Sequence, residues 1–161
     1  MQVQLKANGQ AIELDASPGE RLIDLLRDRL QLRGTKESCG KGHCGSCLVF
    51  LDGNLVNACL VPAFRLNGAD VVTIEGFSRT KEFAAIEKAF ADILPLQCGL
   101  CTSGLVMATG ALLHANTRPS ESQIRQALAG NLCRCTGYRA ITEAVMSASE
   151  LWGKRGYVRR G

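Results

Sequence analysis

The sequence predicts an α+β fold, in which a small mixed sheet crossed by one helix is followed by a bundle of four helices. Three observations support this prediction. Apolar residues alternate with a period of two in the N-terminal half, the period changes to about 3.6 in the C-terminal half, and the eight cysteines divide evenly between the two halves. We place the division between residues 1–76 and residues 77–161.

Strands are predicted in the N-terminal half from alternating patterns and turn residues. Apolar and polar residues alternate over 3–7 and 12–14, and Asn8-Gly9 between them is a typical two-residue hairpin turn. A second hairpin is predicted to turn at Asp52-Gly53, and residues 71–74 form the last predicted strand. Together these strands make up the small mixed sheet.

Helices are predicted where apolar residues recur at helical spacing. Ser17 and Glu20 have the spacing of a capping box, which predicts a helix with an apolar stripe from Leu22 to Leu30. The pair Ser120 and Gln123 has the same spacing in the C-terminal half. The four C-terminal stripes, which we expect to bury against one another, are Phe83, Ile86, Phe90 and Leu94; Leu105, Ala108 and Leu112; Ile124 and Leu128; and Ile141, Val145, Ala148 and Trp152.

Four cysteines of the N-terminal half have the spacing of a [2Fe–2S] site. Three lie on one loop and the fourth lies on the far arm of the second hairpin: Cys39, Cys44, Cys47 and Cys59. A loop surrounds a cluster only if its backbone curls, and Gly40, Gly42 and Gly45 allow the positive φ angles that the curl requires. The curl also directs amide N–H groups at the sulfur atoms, which stabilises their negative charge.

The other four cysteines form two short pairs in the C-terminal half. Cys98 and Cys101 precede a predicted helix, so their thiolates can lie at the positive end of its dipole. Cys133 and Cys135 lie in the link before the last helix, and residues two apart bind one centre only from an irregular turn. Four thiolates complete either a [2Fe–2S] cluster or a structural zinc site, and the spacing leaves both open.

Other uses of the cysteines fit the sequence less well. Disulfides suit an oxidising compartment, whereas the first residues have no secretory-signal pattern. A thioredoxin-like pair at Cys98 and Cys101 would need a βαβ setting, and it would leave Cys133 and Cys135 without a role. His43 lies within the first loop, but a Rieske-type centre needs two histidines, so we expect an exposed side chain.

Composition and charge exclude several classes of function. The net charge of +4 counts cysteines as neutral. Two oxidised clusters of about −2 each would bring it to about zero, so no nucleic-acid partner is expected. Because no apolar run of about 18 residues occurs, no membrane span is predicted. We expect a cytoplasmic protein, in which the basic residues Lys154, Arg155, Arg159 and Arg160 form a solvated tail.

Four motifs resemble those of a known family. CGKGHCGSC at 39–47, NACL at 57–60, QCGLC at 97–101 and NLCRCTGY at 131–138 occur in the order found in the small iron–sulfur subunits of the molybdenum hydroxylases. This family includes xanthine dehydrogenase, aldehyde oxidoreductase and aerobic carbon monoxide dehydrogenase. The resemblance covers nearly the whole chain. One departure is Ser103, where many relatives have proline, and we expect its hydroxyl to cap the following helix.

The resemblance implies a β-grasp, plant-type ferredoxin-like domain followed by a four-helix bundle-like domain, each with one [2Fe–2S] cluster. A large partner subunit would carry molybdopterin and the substrate chemistry, so no catalytic residue is expected in this chain. Electrons would pass through the helical-domain cluster and then the ferredoxin-like cluster, usually to FAD on a medium-sized partner subunit. Gln97 and Cys135 match positions that contact the pterin. The alternatives are a zinc-binding interaction module and a free-standing ferredoxin.

Overall fold

Within residues 1–154, which the computed structural model describes, the chain forms one sheet, six helices and two short 3₁₀ turns. The predicted basic tail lies outside the described residues, apart from the backbone of Lys154. The strands are β1 (Gln2–Ala7), β2 (Gln10–Asp15), β3 (Leu48–Leu51), β4 (Asn54–Asn57) and β5 (Asp70–Val72). The helices are α1 (Leu22–Asp24, continued by a π-helical turn, Leu25–Arg29), α2 (Ile74–Phe77), α3 (Phe83–Ile93), α4 (Thr102–Ala115), α5 (Glu121–Ala127) and α6 (Arg139–Lys154).

The five strands form a mixed sheet in the order β2-β1-β5-β3-β4. β1 and β5 pair in parallel, and the other neighbours are antiparallel. Both predicted hairpins are confirmed, and both turns have two residues with positive φ, Asn8-Gly9 and Asp52-Gly53. The sheet followed by helices confirms the α+β class. None of the helices in the described part of the chain is long and apolar enough to span a membrane.

Strand β3 is covered by apolar residues on both of its faces. Val49 and Leu51 pack into a core with the helix α1, while Leu48 and Phe50 pack into a second core with the C-terminal helices. The expectation that the four C-terminal helices bury their stripes only against one another is therefore wrong. The outward face of the sheet is apolar at alternate positions of β3, and the helices cover it.

Helix α4 is the central helix of the second core, and it is buried on nearly all sides. Residues 104–110 are all buried, since α4 lies between the sheet and the other helices. Two glycines permit this close packing. A Cβ atom on Gly104 would overlap the carbonyl oxygen of Gly45, and one on Gly110 would lie 2.6 Å from the ring of Phe77. Helix α4 therefore approaches the loop that carries the first cysteines as closely as a backbone allows.

The start of α1 differs from the prediction. The helix begins at Leu22 with Arg21 as its N-cap residue and no side-chain cap, so the expected Ser17 capping box does not open it. Ser17 and Glu20 instead close a turn ahead of the helix, in which the Ser17 N–H donates to the Glu20 carboxylate at 3.2 Å. The N–H of Leu22 donates to the Val61 carbonyl at 2.8 Å. The Val61 carbonyl, on a distant segment, thus binds a helix amide that a capping side chain would otherwise bind.

Two other predicted boundaries are shifted by local contacts. Residues 71–74 were expected to be a strand, but β5 ends at Val72 and Ile74 begins α2. The Asn8 side chain accepts the Thr73 N–H at 2.9 Å, which ends the sheet pairing there. Leu94 is not part of the α3 stripe, because it has a left-handed backbone, precedes Pro95 and is 75% exposed. The Ser120–Gln123 capping box is confirmed at the start of α5.

The contact between α4 and the first loop makes Gly104 a sensitive position. We expect Gly104→Ala to lower the free energy of unfolding by about 1–3 kcal/mol, because the added methyl group overlaps a backbone oxygen and outweighs a gain in helix propensity of about 1 kcal/mol. The matched control is Gly130→Ala, whose Cβ meets nothing within 4 Å. Chemical unfolding of both variants measures the difference, and equal stabilities would contradict this packing.

Candidate metal centres

The first cysteine loop runs from Cys39 to Cys47, directly before β3. Gly40, Gly42 and Gly45 have φ angles of 64°, 74° and 69°, as the sequence predicts. The backbone curls round Cys39, whose Sγ accepts hydrogen bonds from the N–H groups of Lys41 at 3.4 Å and His43 at 3.3 Å. His43 itself is exposed. The loop therefore supplies the inward-directed amides that an anionic sulfur site needs.

The hairpin β3–β4 brings the fourth cysteine back to this loop. Cys59 lies on a short 3₁₀ turn (Ala58–Leu60) after β4, and its Sγ is 3.4 Å from the Sγ of Cys47. Both side chains are buried. The other two thiols, Cys39 and Cys44, interact with each other, and this interaction favours the thiolate of Cys39. The four thiols thus lie as two pairs.

The two pairs contain thiols with different pKa values. The amides of Lys41 and His43 lower the pKa of Cys39 to about 6, so this thiol is ionised at neutral pH. Burial raises the pKa of Cys47 to about 12. Bound metal cations would offset the cost of a buried thiolate at Cys47, and the thiolate is the form that binds metal.

The second set lies at the beginning of α4 and in the link before α6. Cys98 and Cys101 lie in the turn that leads into α4, and Cys101 is its N-cap residue. Cys133 and Cys135 lie in the irregular segment between α5 and α6, as predicted. The structure pairs the thiols across these segments. Among the thiols, Cys101 interacts most strongly with Cys133, and Cys135 interacts most strongly with Cys98.

Burial is the main influence on the ionisation of Cys101. Burial, followed by the contact with Cys133, raises the pKa of Cys101 to about 12, although the thiol lies at the helix N-terminus. Burial also opposes ionisation of Cys133, but hydrogen bonds from the Thr136 hydroxyl and the Cys135 amide lower its pKa overall. The Thr136 Oγ1 donates to Cys133 Sγ at 3.2 Å.

The expectation that the Ser103 hydroxyl caps α4 is wrong. Ser103 is inside α4, and its buried hydroxyl, like that of Thr102, has no hydrogen-bond partner among the described residues. Both hydroxyls are thus free donors within two residues of Cys101.

Gln97 and Cys135 lie together in the structure. Gln97 is exposed, and its Nε2 donates to the Cys135 carbonyl at 3.0 Å.

The two cysteine sites are in direct backbone contact. The N–H of Leu132 donates to the Cys44 carbonyl at 2.9 Å, so the residue next to Cys133 is bonded to a cysteine of the first loop. The Nδ2 of Asn131 donates to the Gly45 carbonyl at 3.3 Å. The sequence holds no signal for this contact, because it joins segments more than 80 residues apart.

Sequence reasoning also missed an ion pair beside the first loop. The Arg21 guanidinium binds both carboxylate oxygens of Asp24, at 2.8 and 2.6 Å, and it binds Glu37 at 2.6 Å. Glu37 is two residues before Cys39, so Arg21 ties the start of the loop to α1. A lone basic residue ahead of an apolar stripe does not indicate such a role, since most are solvated.

The donor set fits [2Fe–2S] clusters. Each iron of such a cluster takes two cysteine thiolates, and each site offers two thiol pairs. Within residues 1–154, no group of three or more His, Cys, Asp or Glu side chains is arranged to hold a single metal ion. The amides directed at Cys39 Sγ are donors suited to the negative sulfur atoms of a cluster.

Comparison with known proteins supports this chemistry. A family model described as a 2Fe-2S iron-sulfur cluster binding domain matches residues 5–66, and one described as a [2Fe-2S] binding domain matches residues 73–146. A subunit of a probable xanthine dehydrogenase from Bacillus subtilis (strain 168) is 46% identical over 140 residues, which span 87% of this chain and 80% of that protein.

Two solved structures share the fold. Quinoline 2-oxidoreductase from Pseudomonas putida 86 contains a chain that superposes with a TM-score of 0.89 at 36% identity, and the match covers 98% of both chains. The aldehyde oxidoreductase from Desulfovibrio desulfuricans ATCC 27774 matches with a TM-score of 0.88 at 38% identity over 95% of this chain. That match covers only 17% of the aldehyde oxidoreductase chain, so the same fold forms part of a much larger polypeptide there.

The fold, the paired thiols and these matches define an iron–sulfur protein with two [2Fe–2S] binding domains and an electron-transfer role. Its class is further specified by the relatives. The chain belongs to the small iron–sulfur subunits of the molybdenum hydroxylases, and it is therefore a component of a molybdenum-dependent oxidoreductase.

The different thiol environments predict selective reactivity in cluster-free protein. At pH 7 we expect iodoacetamide to alkylate Cys39 much faster than Cys47, because the pKa of Cys39 is about 6 and that of Cys47 is about 12. The Cys39 rate should fall as the pH drops through about 6, where its thiolate is protonated. Peptide mass spectrometry measures both rates, with circular dichroism as the check on folding. Equal rates in folded protein would contradict these pKa values.

Proposed function

We propose that this chain relays electrons from a large molybdopterin-containing subunit to a flavin-containing subunit, through two [2Fe–2S] clusters. The first cluster is held by Cys39, Cys44, Cys47 and Cys59, and the second by Cys98, Cys101, Cys133 and Cys135. The observation that carries the proposal is the arrangement of thiols in two pairs at each of two sites whose loops are hydrogen-bonded to each other.

The iron ligands follow from the pairing. In the first site we assign Cys47 and Cys59 to one iron, because their sulfur atoms are 3.4 Å apart, and Cys39 and Cys44, which interact with each other, to the other iron. In the second site the pairs are Cys101 with Cys133 and Cys98 with Cys135. A bound cluster supplies one-electron redox chemistry, while the chain holds it and provides hydrogen-bond donors to its sulfur atoms.

The second site is the one we place against the large subunit. Cys98, Cys135 and Gln97 are exposed. Nearby in the sequence are four exposed leucines, a form of surface that soluble proteins usually cover with a partner: Leu94, Leu96, Leu100 and Leu132. The hydrogen bond from Gln97 to the Cys135 carbonyl holds these two residues side by side, which supports their proposed contact with the pterin.

The first site is the one we place towards the electron acceptor. Leu60, which follows Cys59, is 59% exposed and lies over Gly42, and Phe64 is 60% exposed. An apolar surface next to a cluster loop suits a second protein partner, and a medium FAD-binding subunit fits the family pattern. We also propose a cytoplasmic location, which eight free thiols support, and a domain division after residue 76.

The alternatives are less well supported. A zinc-stabilised module uses four thiolates round one ion, whereas here the thiols lie in pairs and both family models describe [2Fe–2S] domains. A free-standing ferredoxin would leave the exposed leucines near the second site uncovered.

Iron content tests the two ligand sets. We expect about four irons per chain and two EPR signals on reduction, because each site holds a two-iron cluster. Cys59→Ala should halve the iron and remove one signal, and Cys133→Ala should halve it and remove the other. Each variant is the control for the other, and circular dichroism reports loss of folding. A colourless protein that contains zinc would overturn the proposal.

Binding to the large subunit tests the orientation. We expect Leu100→Asp to weaken this binding at least about tenfold, because it buries a charge in an apolar contact. The matched control is Leu60→Asp, which places the same charge on an exposed leucine beside the first site and should change the affinity less than about twofold. Titration of each cluster-loaded variant against the isolated large subunit measures both. The reverse order of effects would contradict the assignment of the two surfaces.

A further inference from the structure

Tyr138 has a backbone conformation that its side chain does not favour. Its φ angle is 70°, and it directly follows Gly137, whose φ is 65°. Bulky residues rarely have positive φ, and such strain persists only where the surrounding structure holds the residue in place. Tyr138 lies between Cys135 and the start of α6, so a strained residue adjoins the second cysteine site.

The Tyr138 hydroxyl has two hydrogen bonds to the segment that carries Cys133. It accepts from the Cys133 N–H at 2.7 Å and donates to the Asn131 carbonyl at 2.9 Å. The backbone of Tyr138 is anchored as well, because its carbonyl accepts from the Thr142 N–H at 2.9 Å and from the Thr142 hydroxyl at 3.0 Å. The side chain thus joins the first turn of α6 to residues 131–133.

The peptide group that Tyr138 binds is the one that joins the two sites. The Asn131 carbonyl and the Leu132 N–H belong to the same peptide bond, and that N–H donates to the Cys44 carbonyl at 2.9 Å. One continuous chain of hydrogen bonds therefore runs from the Cys133 amide through the Tyr138 hydroxyl and this peptide group to Cys44. Each bond in such a chain polarises the next.

We propose that Tyr138 is a positioning residue for electron transfer between the two clusters. Its hydroxyl fixes the carbonyl end of the Asn131–Leu132 peptide, and this keeps the N–H end on Cys44. In the transfer step, one electron leaves the reduced cluster and reduces the other cluster, and no bond is made or broken. The inference rests on the proposed function, because it requires a cluster at each site.

Tyr138→Phe is the test, since it removes only the hydroxyl from the cluster-loaded chain. Wild-type protein is measured first, and failure to find two clusters there would refute the proposed function rather than the role of Tyr138. In the variant we expect both clusters to be retained. The rate of electron transfer between them should fall by about threefold or more, because a peptide group without its hydrogen bond samples other orientations. Rapid photoreduction measures this rate.

Two further measurements distinguish a positioning role of Tyr138 from a purely structural one. The magnetic interaction between the two reduced clusters, seen by EPR, should weaken in Tyr138→Phe, and the amides of residues 131–133 should exchange hydrogen faster. The matched control is Thr142→Val, which removes a buried hydroxyl that also bonds to Tyr138 but leaves the hydrogen-bond chain intact. It should leave the rate and the magnetic interaction unchanged.

The remaining outcomes overturn the inference. An unchanged transfer rate and magnetic interaction in Tyr138→Phe would show that the hydroxyl has no part in the junction. Loss of the second cluster from this variant would show that Tyr138 supports the fold of the site rather than its alignment. Equal effects of Tyr138→Phe and Thr142→Val would show that any loss of stability near α6 has the same result.

Discussion

The burial of β3 on both faces determines where the two cysteine sites lie. Val49 and Leu51 pack in the core that contains α1, and Leu48 and Phe50 pack in the core that contains α4. The first cysteine loop ends at Cys47, where β3 begins, and α4 begins immediately after Cys101. When α4 packs on the outer face of β3, the beginnings of both elements are brought together. The two sites meet because the sheet has two apolar faces.

Each site combines an easily ionised thiol with thiols that burial keeps neutral. At the first site, amides lower the pKa of Cys39 while burial raises that of Cys47. At the second, Thr136 favours the thiolate of Cys133, while burial raises the pKa of Cys101. A buried anion is costly unless cations or donors lie beside it. With a cluster bound, as proposed, each site would be more stable, and metal binding would then contribute to the folding energy of each half.

The features that were correctly predicted are those that short segments determine. Asn8-Gly9 and Asp52-Gly53 form turns because the residues themselves tolerate positive φ, and the Ser120–Gln123 capping box uses atoms three residues apart. The wrong predictions share a different cause. Ser17 does not cap α1 because residue 61, on another segment, already binds the helix amide at Leu22. The pairing of thiols across segments could not be predicted either, because the spacing of the cysteines indicates which of them share a site but not which of them lie next to each other.

The junction between the two sites explains why small residues are needed at positions far apart in the chain. Gly104 has no room for a Cβ beside the Gly45 carbonyl, and Gly45 has none beside Asn131. Gly45 also needs its positive φ for the curl of the loop, but at both glycines the close approach of another segment is a separate restriction. Both arise because backbone meets backbone, and that proximity allows Leu132 to donate directly to Cys44. A larger side chain at either glycine would separate the loops, and the two cysteine sites would no longer share one hydrogen-bonded junction.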